Sequence, residues 1–131
     1  RNGTDSWMKK YIFPGGVIPS LREIVSSMGN DDFHILDIEN LRRHYEKTLL
    51  CWADNFHNHL DKISGMFDEK FIRMWDLYLN ACAANFHVGG IDLHQILVTK
   101  GVNNELPLTR WYYIINIIKK RLYKLFVVFN L

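Results

Sequence analysis

Apolar residues recur with helical spacing along residues 39–62, where Leu41, Tyr45, Thr48, Leu49, Trp52, Phe56, Leu60 and Ile63 stand three or four apart. One face of a single helix satisfies that spacing, so a helix is expected over 39–62. Ser64-Gly65 closes it. Asp68 can cap a second helix by accepting from the first free N–H groups. The stripe of that helix is Phe71, Met74, Trp75, Tyr78, Leu79, Cys82 and Phe86, and Gly89-Gly90 stops it. So short a break at Gly65 favours an antiparallel pair. Tyr45 lies 20 residues before Gly65 and Cys82 lies 17 after it. At about 1.5 Å per residue their heights differ by only about 4–5 Å, so Tyr45, Leu49, Tyr78 and Cys82 are expected to converge.

The flanking segments read differently. Ser20, with Glu23 three residues on, has the form of a capping box, and a helix is expected over 21–28. "GNDD" breaks it. "FHILDIEN" at 33–40 follows as a short strand, with Phe33, Ile35 and Asp37 on one side. "IDLHQILVTK" at 91–100 reads as a buried strand, because Ile96, Leu97 and Val98 run together. Near the start, "YIFPGGVIPSL" sets Tyr11 and Phe13 against a Pro-Gly-Gly turn. Turns rarely hold such large apolar side chains, so this loop either folds over a core or lines a cavity for an apolar ligand.

Composition narrows the class. The chain has 131 residues, the length of one domain or of a piece of a larger one. With 48% hydrophobic and 23% charged residues it has the balance of a globular chain that can bury a core. Two Cys are too few for a disulfide framework, and no signal peptide is evident, so a cytoplasmic setting is expected. No apolar run reaches the length of about 18 residues that a spanning helix needs. The net charge of +2 conceals an asymmetry: 111–131 holds Lys119, Lys120, Arg121 and Lys124 and no acid, which leaves 12 basic and 14 acidic groups in 1–110. A body near neutrality argues against nucleic acid as a partner.

Tyr45, Tyr78 and Cys82 are the candidate chemistry. Two tyrosines and a thiol on apolar helix faces suit a packed core whose hydroxyls find partners. The functional alternative is an apolar small-molecule pocket with a few polar groups. No metal site is expected: His57 and His59 are two apart and point to different helix faces, and neither Cys-x-x-Cys nor His-Glu-x-x-His spacing occurs. No Gly-rich oxyanion motif surrounds Cys51 or Cys82, so a hydrolase reading is weak. No Gly-x-Gly-x-x-Gly loop is present to cradle a nucleotide.

Four ordered blocks form a more specific pattern: "W-x-x-K-Y-I-F-P-G-G-x-x-P-S-L" at 7–21, "I-E-N-L-R-x-H-Y-x-x-T-L-x-x-W" at 38–52, "F-x-R-M-W-x-x-Y-L-x-x-C-A-A-x-F" at 71–86 and "I-D-L-H-Q-I-L-V-T-K-G" at 91–101. Together they resemble the C-terminal part of cyclopropane-fatty-acyl-phospholipid synthases and mycolic acid cyclopropane synthases, over about residues 4–113. The resemblance implies an α/β fold, the C-terminal portion of a Rossmann-like S-adenosylmethionine-dependent methyltransferase domain, with the antiparallel helix pair inserted between its last strands. It implies methyl transfer from the sulfonium to a cis double bond of a phospholipid acyl chain, a carbocation, and ring closure with bicarbonate as proton acceptor. Tyr45 matches the tyrosine that helps hold bicarbonate, and Cys82 matches the cysteine beside the reacting chain. Tyr78, Leu49, Phe13 and Pro14 match acyl-channel positions, which answers the question raised by the "IFPGG" loop.

The family's cofactor loop, its acidic ribose ligand and the other bicarbonate ligands have no counterpart in these residues, so the sequence is expected to be the last third of such an enzyme and not to bind the cofactor alone. The competing reading is a non-catalytic remnant that binds acyl chains or a protein through the same pocket. Residues 111–131 depart from the family pattern. They read as a basic amphipathic tail, helical and suited to lie peripherally on an anionic bilayer, or else packed on protein. Oligomeric state is not legible.

Overall fold

The computed structural model describes residues 6–106, 108–110 and 124–130. Its elements are α1 (Ser6–Tyr11), α2 (Leu21–Asn30), β1 (Phe33–Asn40), α3 (Arg42–His57), α4 (Leu60–Ser64), α5 (Glu69–Val88), β2 (Asp92–Lys100) and β3 (Lys124–Asn130). They fall into two compact units, one of Arg1–Asn40 with Leu93–Leu131, the other of Leu41–Asp92.

The first unit is built on a sheet of order β1-β2-β3, with α2 packed on β1. The capping box at the start of α2 forms: the Glu23 N–H donates to Ser20 Oγ, and the Ser20 N–H donates to Glu23 Oε2 at 2.7 Å. β1 and β2 are antiparallel, with Phe33 opposite Lys100 and Ile38 opposite Ile96. The register shifts between Ile35 and Asp37, so Leu36 is a bulge. The bulge corrects the expected alternation. Residues paired across a ladder share a face. Ile38, opposite Ile96, therefore joins Phe33 and Ile35, and Asp37 passes to the other face. There its carboxylate accepts two hydrogen bonds from the Arg110 guanidinium, at 2.6 and 3.0 Å.

β2 is the buried strand that its apolar run implied: Leu93, His94, Ile96, Leu97, Val98 and Thr99 are all buried. Of the tail expected to be one amphipathic helix, 111–123 lie outside the described residues. Lys124–Asn130 is not helical but forms β3 beside β2. Its core, Phe126-Val127-Val128-Phe129, is aromatic and β-branched, a composition suited to a pleated surface.

The second unit is the helix pair. α5 starts at Asp68, whose carboxylate accepts from the Phe71 N–H at 2.7 Å, and ends at Gly89 in the left-handed region at φ 74°. α3 and α5 pack together, and the pivot near Gly65 holds: His57, at the end of α3, donates to Asp76 Oδ1 at 2.8 Å, while Tyr45, near its start, meets Phe86. The helices are thus antiparallel. Their seam buries Leu49, Ala53 and Phe56 from α3 and Leu79, Cys82, Ala83 and Phe86 from α5. Each large side chain here contributes roughly 1.5–3 kcal/mol by leaving water. The first helix is shorter than its apolar spacing implied. It ends at His57, because the His59 ring donates to the Asn55 carbonyl at 2.7 Å and the chain tightens into an i→i−3 bond before α4. At the other end, residues 39–40 belong to β1.

Candidate functional site

Tyr45 lies one turn into α3, and its ring is held edge-on between two others, Phe86 at 5.1 Å and Trp52 at 5.8 Å. Both contacts have the geometry that aromatic quadrupoles favour. On α5, Tyr78 and Cys82 are one turn apart, and the tyrosine hydroxyl donates to the thiol sulfur. Burial pushes the Tyr78 phenol up to about 12, with the charges of Cys82 and Tyr45 opposing ionisation further. Burial also raises the Cys82 thiol, partly offset by the hydrogen bond from Tyr78. Tyr45 is raised by burial first and by Cys82 second. All three are therefore neutral at physiological pH. They form a cluster of O–H and S–H groups in an apolar wall, not a thiolate nucleophile.

The expected convergence of Tyr45, Tyr78 and Cys82 thus forms, with Leu49 buried in the same helix seam at 1% exposure. Phe13 and Pro14 stand in the first unit, in the turn that follows α1. There the Phe13 N–H donates to the Met8 carbonyl and Gly15 takes φ 75°. Phe13 is half exposed, so this loop does not fold over a core.

Spacing alone did not single out the row of rings leading to Tyr78. Phe67 stacks on Phe71 at 4.2 Å, Phe71 on Trp75 at 5.9 Å, and Trp75 tilts against Tyr78 at 5.1 Å. Steps of three and four residues signalled one helix face, but such a stripe reads first as packing. Its helical part, from Phe71 to Tyr78, rises about 10 Å at 1.5 Å per residue, and the row makes an aromatic wall from the exposed Phe67 to the Tyr78–Cys82 pair. A neutral wall of this kind suits a hydrocarbon, and its ring faces suit a positive charge.

The sequence model for mycolic acid cyclopropane synthetase matches residues 1–96. The chain belongs to this family. A probable fatty acid methyltransferase of Pseudomonas putida is 40% identical over 111 residues, which is 82% of this chain and 28% of that protein. The cyclopropane-fatty-acyl-phospholipid synthase of Escherichia coli K12 is 39% identical over 106 residues, 81% of this chain and 28% of that enzyme. The crystal structure of the mycolic acid cyclopropane synthase CmaA1, complexed with SAH and CTAB, superposes with a TM-score of 0.68 at 27% identity, over 70% of this chain and 32% of that one. The chain therefore spans just over a quarter of the length of these two relatives, and it has the fold of part of an S-adenosylmethionine-dependent methyltransferase domain. Among the described residues, no helix of this family member is long and apolar enough to cross a membrane.

Proposed function

We propose that this chain forms the acyl-chain-facing part of an S-adenosylmethionine-dependent enzyme that adds a methylene to cis double bonds of phospholipid acyl chains. The observation that carries the reading is the neutral Tyr45, Tyr78 and Cys82 cluster at the end of an aromatic wall. In such an enzyme S-adenosylmethionine supplies a methyl to one alkene carbon, and bicarbonate takes the proton lost from that methyl as the ring closes. None of the residues here is assigned to S-adenosylmethionine, since the sequence has no Gly-rich strand-turn-helix loop.

The roles of this chain's residues follow from their state. Tyr45 keeps its phenolic proton, so it can donate a hydrogen bond to a carbonate-type anion and hold it in place. The faces of Tyr78 and Trp75 stabilise positive charge developing on the acyl chain where little water competes. Cys82 lines the wall as a thiol, and Leu49, buried in the same helix seam, backs it as an acyl-channel position. Phe13 and Pro14, in the first unit, are assigned to acyl-channel positions by the family resemblance alone. A substrate of this kind brings the enzyme to a bilayer surface as a peripheral visitor.

A chimera tests the proposal: this chain replaces the matched segment of the E. coli synthase, and cyclopropane fatty acids are measured by gas chromatography in cells lacking the native enzyme. Cyclopropane product is expected, and Tyr45→Phe in the same chimera should remove most of it. A folded chimera that binds S-adenosylmethionine but leaves unsaturated chains unchanged would overturn the reading.

A further inference from the structure

Arg42 opens α3, and its side chain reaches across to the far end of α5. The last carbonyls of a helix have no partner within it. At the end of α5, the Gly89 and Gly90 N–H groups both donate to the Asn85 carbonyl, and the carbonyls of Phe86 and His87 are taken up by Arg42 instead. Its Nη1 donates to Phe86 at 2.5 Å and to His87 at 2.9 Å, while its Nε lies 3.8 Å from Asp92 Oδ1. A guanidinium here also meets the negative end of the helix dipole. A second link stands one turn along α3, where His87 Nδ1 donates to Glu46 Oε1 at 2.8 Å.

Tyr45 lies between these two links. Its ring meets the Phe86 ring at 5.1 Å, and Phe86 is the residue whose main chain Arg42 grips. Phe86 is 1% exposed, so its ring has little freedom to follow if its backbone moves. We infer that Arg42 is a positioning residue for Tyr45: by fixing the last turn of α5 to the first turn of α3, it sets the packing of Phe86 and so the place of the Tyr45 hydroxyl. This rests on the proposed role of Tyr45. Arg is suited to the task because its rigid fork can serve two carbonyls and a carboxylate at once, which a Lys ammonium on a flexible stem cannot.

The test reads Tyr45 directly in the full 131-residue chain. Tyr ring resonances and the Tyr45–Phe86 nuclear Overhauser effect are compared in wild type, Arg42→Gln, Arg42→Lys and the exposed control Arg43→Gln, with helix content followed by circular dichroism. Arg42→Gln should weaken the Overhauser effect and shift the Tyr45 ring signals while Tyr78 stays in place. Arg42→Lys should give a smaller displacement in the same direction, and Arg43→Gln none. In the chimera, Arg42→Gln should lower kcat by about 10- to 100-fold, the size of effect expected of a misplaced group, with KM for lipid little changed. Unmoved Tyr45 signals in whichever Arg42 variant folds would overturn the inference, as would Tyr45 and Tyr78 moving together. If Tyr45 moves as expected but Tyr45→Phe leaves turnover intact, the positioning stands and the proposed catalytic role fails.

Discussion

The Tyr78 hydroxyl donates a hydrogen bond to the Cys82 sulfur one helical turn away, and burial holds both groups in their protonated forms. The pair is polar enough to orient within an apolar wall, yet uncharged. In the proposed reaction, a positive charge forming beside it would meet ring faces and dipoles and not a competing nucleophile.

Tyr45→Phe removes one hydroxyl and leaves the ring contacts with Phe86 and Trp52 in place. The fold of the chimera should be unchanged. Turnover should fall about a hundredfold or more, since losing a donor that holds a transition-state-stabilising anion costs on the order of 2–4 kcal/mol. Cyclopropane product per unit of folded enzyme decides it, and undiminished turnover would remove Tyr45 from the mechanism.

Stability at high pH should depend on Tyr78. Its phenol is pushed from an ordinary value of 10.0 up to about 12 in the folded chain. Below pH 10 it is protonated whether the chain is folded or unfolded. Between pH 10 and 12 the unfolded chain gives up the proton first, so stability falls as pH rises through that window. The full shift would cost about 3 kcal/mol at about 1.4 kcal/mol per pH unit, and solvent screening of this half-buried phenol reduces the loss to roughly 1–2 kcal/mol. Urea denaturation at pH 9 and pH 12 should show a smaller alkaline loss in Tyr78→Phe than in wild type. An equal loss in both would show that Tyr78 does not titrate in this way.

The two cysteines should differ in reactivity. Cys51 is exposed, whereas Cys82 is buried and its thiol is raised by burial. A disulfide reagent at pH 7.5 should modify one thiol quickly, and Cys51→Ser should abolish that phase. Cys82→Ser should leave substantial activity in the chimera, because in the proposed role the thiol lines the wall and forms no bond to substrate. A covalent adduct isolated on Cys82 would contradict this.

Removal of 111–131 should destabilise the first unit. The cut deletes β3, which stands beside the buried strand β2, and leaves one edge of β2 without a partner strand. A chain ending at Arg110 should melt at lower temperature or aggregate, while its sedimentation with anionic vesicles stays like that of the full chain. Selective loss of vesicle binding at unchanged stability would instead favour a membrane-bound tail.

The 131-residue chain by itself should show no micromolar affinity for S-adenosylmethionine in calorimetry, since it has no Gly-rich loop to hold one. Measurable heat with one-to-one stoichiometry would place a cofactor site within these residues.

What the sequence determined by itself is local. The Ser20–Glu23 box, the Asp68 cap and the Gly89 stop each act within a turn or two of chain, and each forms where its residues stand. The two apolar stripes and the short break at Gly65 were enough to pair the helices and to bring Tyr45 to Tyr78 and Cys82, because helical rise converts residue counts directly into height. The four motif blocks were enough to reach the family. Tertiary structure decided whatever depends on which backbone lies alongside. The bulge at Leu36 moves Asp37 to the opposite face of the sheet from Phe33, and it exists only in the pairing of β1 with β2. β3 became a strand beside β2 although the four cations and the apolar spacing of 111–131 suited a helix. Arg42 reads in sequence as a surface charge at a helix start, yet its partners are carbonyls 44 and 45 residues away. Backbone carbonyls carry no residue identity, so no spacing or composition could name them; only the meeting of two helix ends does.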